Sequence, residues 1–284
     1  MAVSKTLTYS GAISFLNWTI DSTIISVTNE NQNYPAKNLL NPIMSKTYRT
    51  TKLFNEHNGY FQVGFDLGTD RTPTIAGIIN SNITKTSGSG LFLIGSTSPD
   101  FSTSLTYWDG LPLYETKTRV LRWYLDTPTL NNGLAKRYWA FRFYPNDWGN
   151  GFTSDSFFEF GNFWLGEYQD LRHNYQSKIT QYDTSKKSES FSGATFVDQN
   201  NSGYALTASM PWVTKASRQS LISNFYTYRK NTHVLVDFEP FINDTTSTVG
   251  GMNCFYGKIH DTIKADVQFS GYTNLQLDFR ESVA

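Results

Sequence analysis

The chain has 284 residues, of which 39% are hydrophobic and 16% aromatic, and its 24 lysines and arginines are balanced by 24 aspartates and glutamates. That length is enough to bury the core of one large or two ordinary domains. Zero net charge argues against a protein whose main task is neutralising phosphates, and a lone cysteine, Cys254, leaves neither a disulfide framework nor a cysteine-rich zinc site. No run of about 18 apolar residues occurs, and the opening MAVSKTLTYSGAISFLNW contains no uninterrupted apolar segment. We therefore expect no signal peptide, no membrane insertion and synthesis in a cytoplasm. On that expectation the Asn-x-Ser/Thr triplets beginning at Asn17, Asn82, Asn200 and Asn243 are chance matches to the glycosylation signal.

Tyr, Phe and Trp favour strands, and long helical periodicity is nearly absent, so the composition predicts mostly β structure. Residues 9–27 predict one or two strands with Trp18, Ile20, Ile24 and Ile25 as core candidates, ended by the Asn-rich stretch 29–33. Next comes YPAKNLLNPIMSKTYRTT, residues 34–51. In residues 60–68, YFQVGFDLG, the apolar Phe61, Val63, Phe65 and Leu67 alternate with Gln62, Gly64 and Asp66, the period of two expected when one face is buried. Residues 75–79 and 91–94 are short apolar runs that suit strands buried on both faces, and TKTSGSG at 84–90 reads as a loop. Tyr107-Trp108-Asp109-Gly110 predicts a turn exposing an aromatic ring. Residues 120–125 and 138–144 (YWAFRFY) predict strong strands, the latter with Trp139, Phe141 and Phe143 on one face, and FFEFGNFWLG at 157–166 closes the first half.

The second half opens on a polar, linker-like stretch, 168–188, in which Lys186-Lys187 reads as a solvated turn. Strands are predicted at 190–197 and 204–213, then one helix at 217–230. Ser217 is its candidate N-cap, Leu221 with Phe225 and Ile222 with Tyr226 form its apolar stripe, and Arg229 and Lys230 suit the negative end of its dipole. A strand at 233–240 (HVLVDFEP) is stopped by its proline, and three alternating segments follow at 257–263, 265–269 and 274–279.

Two of these stretches carry a family resemblance. Pro35-Ala36 with Asn38-Leu39-Leu40, then Tyr48-Arg49, resembles the opening of discoidin-like (galactose-binding-like) jelly-roll domains. In that family a short loop or helical turn packs under the sandwich and an aromatic-plus-Arg step leads into the next strand. Residues 60–68, ending Asp66-Leu67-Gly68, resemble a strand of the same family, and 157–166 resembles its last strand. The second half resembles the small β-barrel with one helix found in distal tail and baseplate proteins of tailed phages. The matching residues are the entry 212–221, Phe225-Tyr226, Val236-Asp237-Phe238-Glu239-Pro240 and Phe255-Tyr256-Gly257. In the better-known distal tail proteins the barrel precedes the jelly roll, whereas here it comes last. The fold implied is mainly all-β: an N-terminal β-sandwich jelly roll over 1–166 and a C-terminal small β-barrel over 167–284 with helix 217–230.

The resemblance implies a virion structural protein, a tail-tip or baseplate subunit assembled in the bacterial host cytoplasm. It would work as a homo-oligomer, a trimer or hexamer ring, with other tail and baseplate proteins as partners. Leu221, Phe225, Tyr226 and Tyr256 are its candidate assembly residues. The alternative is a lectin-like module for host surface glycans. Sugars are gripped by aromatic faces and planar polar groups, usually on loops at one end of a sandwich, and Arg49, Trp108, Asp109, Asp147 and Trp148 fit that chemistry. A glycoside hydrolase would need facing carboxyl groups, for which Asp155 with Glu159 and Asp237 with Glu239 are the candidates. No P-loop, nucleophile elbow or dinucleotide fingerprint occurs, and His57, His173, His233 and His260 stand far apart without metal-ligand spacing. The expectation is a non-enzyme with no cofactor, no metal and no nucleic-acid partner.

Overall fold

The computed structural model describes residues 10–51, 60–83, 91–102, 106–108, 113–115, 119–125, 135–144, 157–172, 178–183, 186–189, 195–198, 202–228, 233–237, 254–259, 264–269 and 272–282. It consists mainly of antiparallel strands with a single α-helix among the described residues. Two compact units divide the chain, one built on Leu16–Tyr168 and the other on Met1–Phe15, Gln169–Pro240 and Phe255–Ala284. The first strand, β1 (Ser10–Ser14), belongs to the second of these, where it pairs with strands that follow residue 168 in the sequence. The split into 1–166 and 167–284 therefore differs from the structure at its start, because short-range patterns cannot reveal a partner more than 150 residues away.

The unit on Leu16–Tyr168 is a two-layer sandwich. One sheet has the order β2 (Thr23–Val27), β4 (Phe61–Arg71), β10 (Lys136–Phe143), β6 (Leu91–Ser96), β7 (Thr106–Trp108). The facing sheet runs β12 (Asn162–Gly166), β5 (Ile75–Ile79), β9 (Val120–Tyr124), β8 (Leu113–Glu115). Successive strands cross between the layers at β4 to β5, β5 to β6, β7 to β8 and β9 to β10, which is jelly-roll connectivity. The predicted alternation holds: Phe61, Val63 and Phe65 of β4 and Trp139, Phe141 and Phe143 of β10 are all at most 4% exposed, in one core with Phe158, Phe160 and Phe163. The Phe141 and Phe163 rings lie 4.3 Å apart. Each buried ring of this size contributes roughly 2–3 kcal/mol of hydrophobic stabilisation.

Under this core sits the segment that carried the family resemblance. Ala36–Leu40 forms a 3-10 turn entered through Pro35, with Ala36 and Leu39 buried, and Asn38 Nδ2 donates to Thr47 O at 2.8 Å. The chain then enters β3 (Tyr48–Arg49), which pairs with β11 (Glu159–Phe160). Burial pushes the Tyr48 phenol far above its usual range, with Glu30 adding to the effect. The exposed edge of β12 is closed by the chain at 17–19. Trp18 N–H donates to Leu165 O at 2.8 Å, and Asn17 Nδ2 donates to Asn162 Oδ1 (2.9 Å) and Phe163 O (2.7 Å). Asn17, 4% exposed, is thus an edge clasp with no room for a glycan.

The second unit is one eight-stranded antiparallel sheet ordered β13 (Gln169–Arg172), β1, β18 (His233–Asp237), β19 (Cys254–Ile259), β21 (Tyr272–Glu281), β17 (Ser202–Thr214), β14 (Lys178–Asp183), with β20 (Lys264–Phe269) on β21. Among the described residues β15 (Lys186–Glu189) and β16 (Thr195–Asp198) pair only with each other. Its core comes from cross-strand pairs: Leu206 faces Phe279, Ala208 faces Leu277 and Met210 faces Leu275, all nearly fully buried. The register slips between Met210 and Val213, where Pro211 cannot donate to the ladder. Within 168–188, Gln169–Arg172, Lys178–Asp183 and Lys186–Glu189 are strands rather than linker, with Lys186-Lys187 in strand rather than turn; pairing overrides the weak local signal of these polar strands.

The helix α1 (Lys215–Tyr228) starts two residues before the predicted 217. Thr214 rather than Ser217 caps it, accepting a bond from Ser217 N–H at 3.3 Å. Leu221 and Phe225 are buried and Tyr226 is 71% exposed, so one predicted stripe faces inward and the other ends in solvent. Arg229 and Lys230 lie outside the described residues.

Candidate functional site

Strand directions gather two side-chain clusters at one end of the sandwich. The register Phe61 opposite Phe143 opposite Leu91 puts the start of β4, the end of β10 and the start of β6 there. The Phe143 and Phe160 rings, 5.0 Å apart, bring β11 and its partner β3 to the same end.

The first cluster is built on Arg49. Cross-strand pairing sets it opposite Glu159, with Nε 2.7 Å from Glu159 Oε2. Its guanidinium carbon lies 4.0 Å from the Tyr34 ring centre and 5.0 Å from that of Phe157. Asn82 holds the neighbouring backbone, donating to Phe157 O at 2.8 Å and accepting from Glu159 N–H at 2.9 Å. Arg49 and Glu159 keep 30% and 22% of their side chains exposed, and Phe157 is 38% exposed. Glu159 is thus the ion-pair partner of Arg49, and Asp155, the other member of the first carboxyl pair, lies outside the described residues.

The second cluster lies on the outer face of the five-stranded sheet. Arg142 Nε and Nη2 both donate to Gln62 Oε1, at 3.0 and 2.6 Å, and Gln62 Nε2 donates to Ser26 Oγ at 3.1 Å. The Arg142 guanidinium stacks 4.2 Å from the Tyr60 ring centre. Tyr60 lies 5.6 Å from Tyr144, and Phe92 lies 5.3 Å from Tyr144. All three rings are half-buried, while Gln62 and Arg142 are only 5% and 9% exposed. Sequence reasoning passed over these five residues. Their signal is the second face of the two strongest strands, where YFQVG and YWAFRFY carry Tyr, Gln and Arg instead of the usual Ser, Thr or Lys.

Of the predicted glycan-binding residues, the structure puts Arg49 at this end. Trp108, placed by its backbone alone, stands opposite Leu93 on β7. Asp147 and Trp148 come three and four residues after Tyr144 but lie outside the described residues, as does Asp109. Of the predicted assembly residues, Leu221 (5%), Phe225 (8%) and Tyr256 (1%) are buried within their own unit, which leaves Tyr226 as the one open to a partner. Tyr256 instead stacks flat on His233, 4.9 Å between ring centres and 9° between planes. Of the second carboxyl pair, Asp237 is 1% exposed and Glu239 lies outside the described residues. Among the described residues no cluster of His, Cys, Asp or Glu is placed to hold a metal ion, and no helix is long and apolar enough to cross a membrane.

No family model and no curated protein matches the sequence. Solved structures do resemble part of the chain. One is a Streptococcus pneumoniae fucose binding module, SpX-3, 10% identical with a TM-score of 0.36 over 54% of this chain and 99% of that one. A second is the family 32 carbohydrate-binding module of C. perfringens NanJ in complex with galactose, 12% identical with a TM-score of 0.37 over 55% and 99%. A third is from reduced XRCC1 bound to the DNA pol beta catalytic domain, 13% identical with a TM-score of 0.36 over 51% and 94%. At such identities no ligand and no residue role passes from them to this chain.

Proposed function

We propose that the sandwich is a non-catalytic carbohydrate-binding module. The observation that carries this reading is the gathering of Tyr34, Tyr60, Phe92, Tyr144 and Phe157, none of them fully buried, with two arginines at one end of a rigid scaffold. Ring faces meet the C–H faces of a sugar, guanidinium groups meet its hydroxyls, and a jelly roll holds both without reorganisation. The test is a glycan array on the full chain, followed by titration of the hits. Tyr144→Ala and Phe157→Ala should each weaken binding at least tenfold with Tm changed by only a few degrees. If no glycan binds, or if both variants bind like the parent, the reading falls.

A second reading concerns the other unit, which we infer to be an assembly module of a phage tail tip or baseplate. Tyr226 at 71% exposure, Tyr272 at 45% and Ile179 at 36% are large apolar side chains left at its surface, the kind that ring interfaces bury. Light scattering and negative-stain images would give a closed ring for the parent and smaller species for Tyr226→Ser. A monomer at high concentration, with no ring formed on isolated tail fractions, overturns this reading and leaves the first untouched.

A further inference from the structure

Three arginines of the sandwich are held by very different partners. Arg49 is ion-paired with Glu159, and Arg137 grips Asp66 through two bonds, Nε to Oδ1 at 2.7 Å and Nη2 to Oδ2 at 2.8 Å. Arg142 is the most deeply buried of the three, yet among the described residues it has no carboxylate. Its Nε and Nη2 converge on a single neutral oxygen, Gln62 Oε1, and the Tyr60 ring covers its flat face. A cation taken out of water is stabilised far better by an anion than by an amide oxygen, so this side chain carries a positive charge that the described residues around it cancel only in part.

The geometry points to a subsite for an acidic sugar, in which the ring carboxylate of a uronic or sialic acid sits against Arg142 while its C–H face packs on Tyr144 and Phe92. This rests on the carbohydrate-binding reading above and narrows its ligand class. The rings supply the apolar contact any pyranose needs, and Arg142 supplies the selectivity. A neutral sugar would leave the charge uncompensated; a carboxylated one forms a charge-assisted bond to a guanidinium that has already lost most of its water. The preference should shrink with added salt, since an electrostatic contribution at a partly open site is screened.

The experiment titrates the full-length chain with two matched pairs: sialyllactose against lactose, and an oligogalacturonate against a neutral galacto-oligosaccharide. The carboxylated member of at least one pair should bind about tenfold tighter or more in low salt. Arg142→Gln should remove that preference, with Tm read alongside to show that the variant folds. Should it not fold, the parent decides: its preference for the carboxylated sugar should shrink several-fold from low to high salt, and a preference that salt leaves unchanged would overturn the subsite. Neutral sugars binding as tightly as their acidic partners would overturn the acidic-sugar subsite and leave the carbohydrate-binding reading standing. Binding of neither member of either pair would overturn the subsite, and an empty glycan array would overturn the broader reading with it.

Discussion

The two units are both antiparallel β, yet they bury different chemistry. The sandwich is filled with aromatic rings, and its buried polar side chains are knitted into bonds: Asn17 alone takes part in five, two as donor and three as acceptor from Thr19 and Leu165. The eight-stranded unit is packed chiefly with aliphatic pairs, and among its described residues it holds one buried histidine, His233, whose Nδ1 has no hydrogen bond. The difference teaches where each unit is vulnerable. Loss of volume or of a clasp should break the sandwich, and a proton should break the sheet.

The largest effect expected is from Phe163→Ala. Phe163 is fully buried and meets the Phe65, Phe141, Phe143 and Phe160 rings, so truncation leaves a cavity that rigid neighbours cannot close. The cost should be about 3–5 kcal/mol. Hydrogen exchange read peptide by peptide should show the loss across β4, β10 and β12, with the strands of the other unit unchanged. Equal loss in both would mean that the two unfold as one. Asn17→Ala should cost somewhat less, about 2–3 kcal/mol, because it strands Leu165 N–H in a buried place and unpins Asn162. Its signature differs from that of the cavity: exchange should quicken first along the β12 edge.

What the sequence made legible follows the range of the forces involved. The 3-10 turn at Ala36–Leu40, the Tyr48-Arg49 step and the alternation of β4 and β10 are written in contiguous residues, and all are found where the pattern puts them. The polar strands β13 and β14 were illegible because their stability comes from partners far along the chain, and β1 was assigned to the wrong unit for the same reason. At the site, Arg49 could be singled out because it stands beside an aromatic residue in a recognisable step. Arg142 and Gln62 could not, since a buried polar pair on the outer face of a sheet looks in sequence like ordinary polar alternation. Leu221 and Phe225 show the converse error. An apolar helical stripe says that a face is covered, and says nothing about whether its own chain or a neighbour covers it.

The comparison is sharpened most finely by pH. Burial, with Lys258 adding to it, pushes the His233 imidazole down to about 4. In the unfolded chain the same ring titrates near about 6.5. Above that value the ring is neutral in both states and the unit has its full stability. As pH falls from about 6.5 towards 4 the unfolded chain takes up a proton that the folded one refuses, so stability is lost across this window and levels off below it. A gap of this size corresponds to at most about 3 kcal/mol. Carboxylates elsewhere titrate in the lower part of the same range, so the informative quantity is the difference between the parent and His233→Phe, which keeps the stack on Tyr256 but cannot be protonated. Denaturation of the eight-stranded unit, followed by exchange in β18 and β19, should be flatter between pH 6.5 and 4 in that variant, while the sandwich strands respond alike in both proteins. A parent profile as flat as the variant's would mean that the ring opens to solvent and titrates as it does in the unfolded chain.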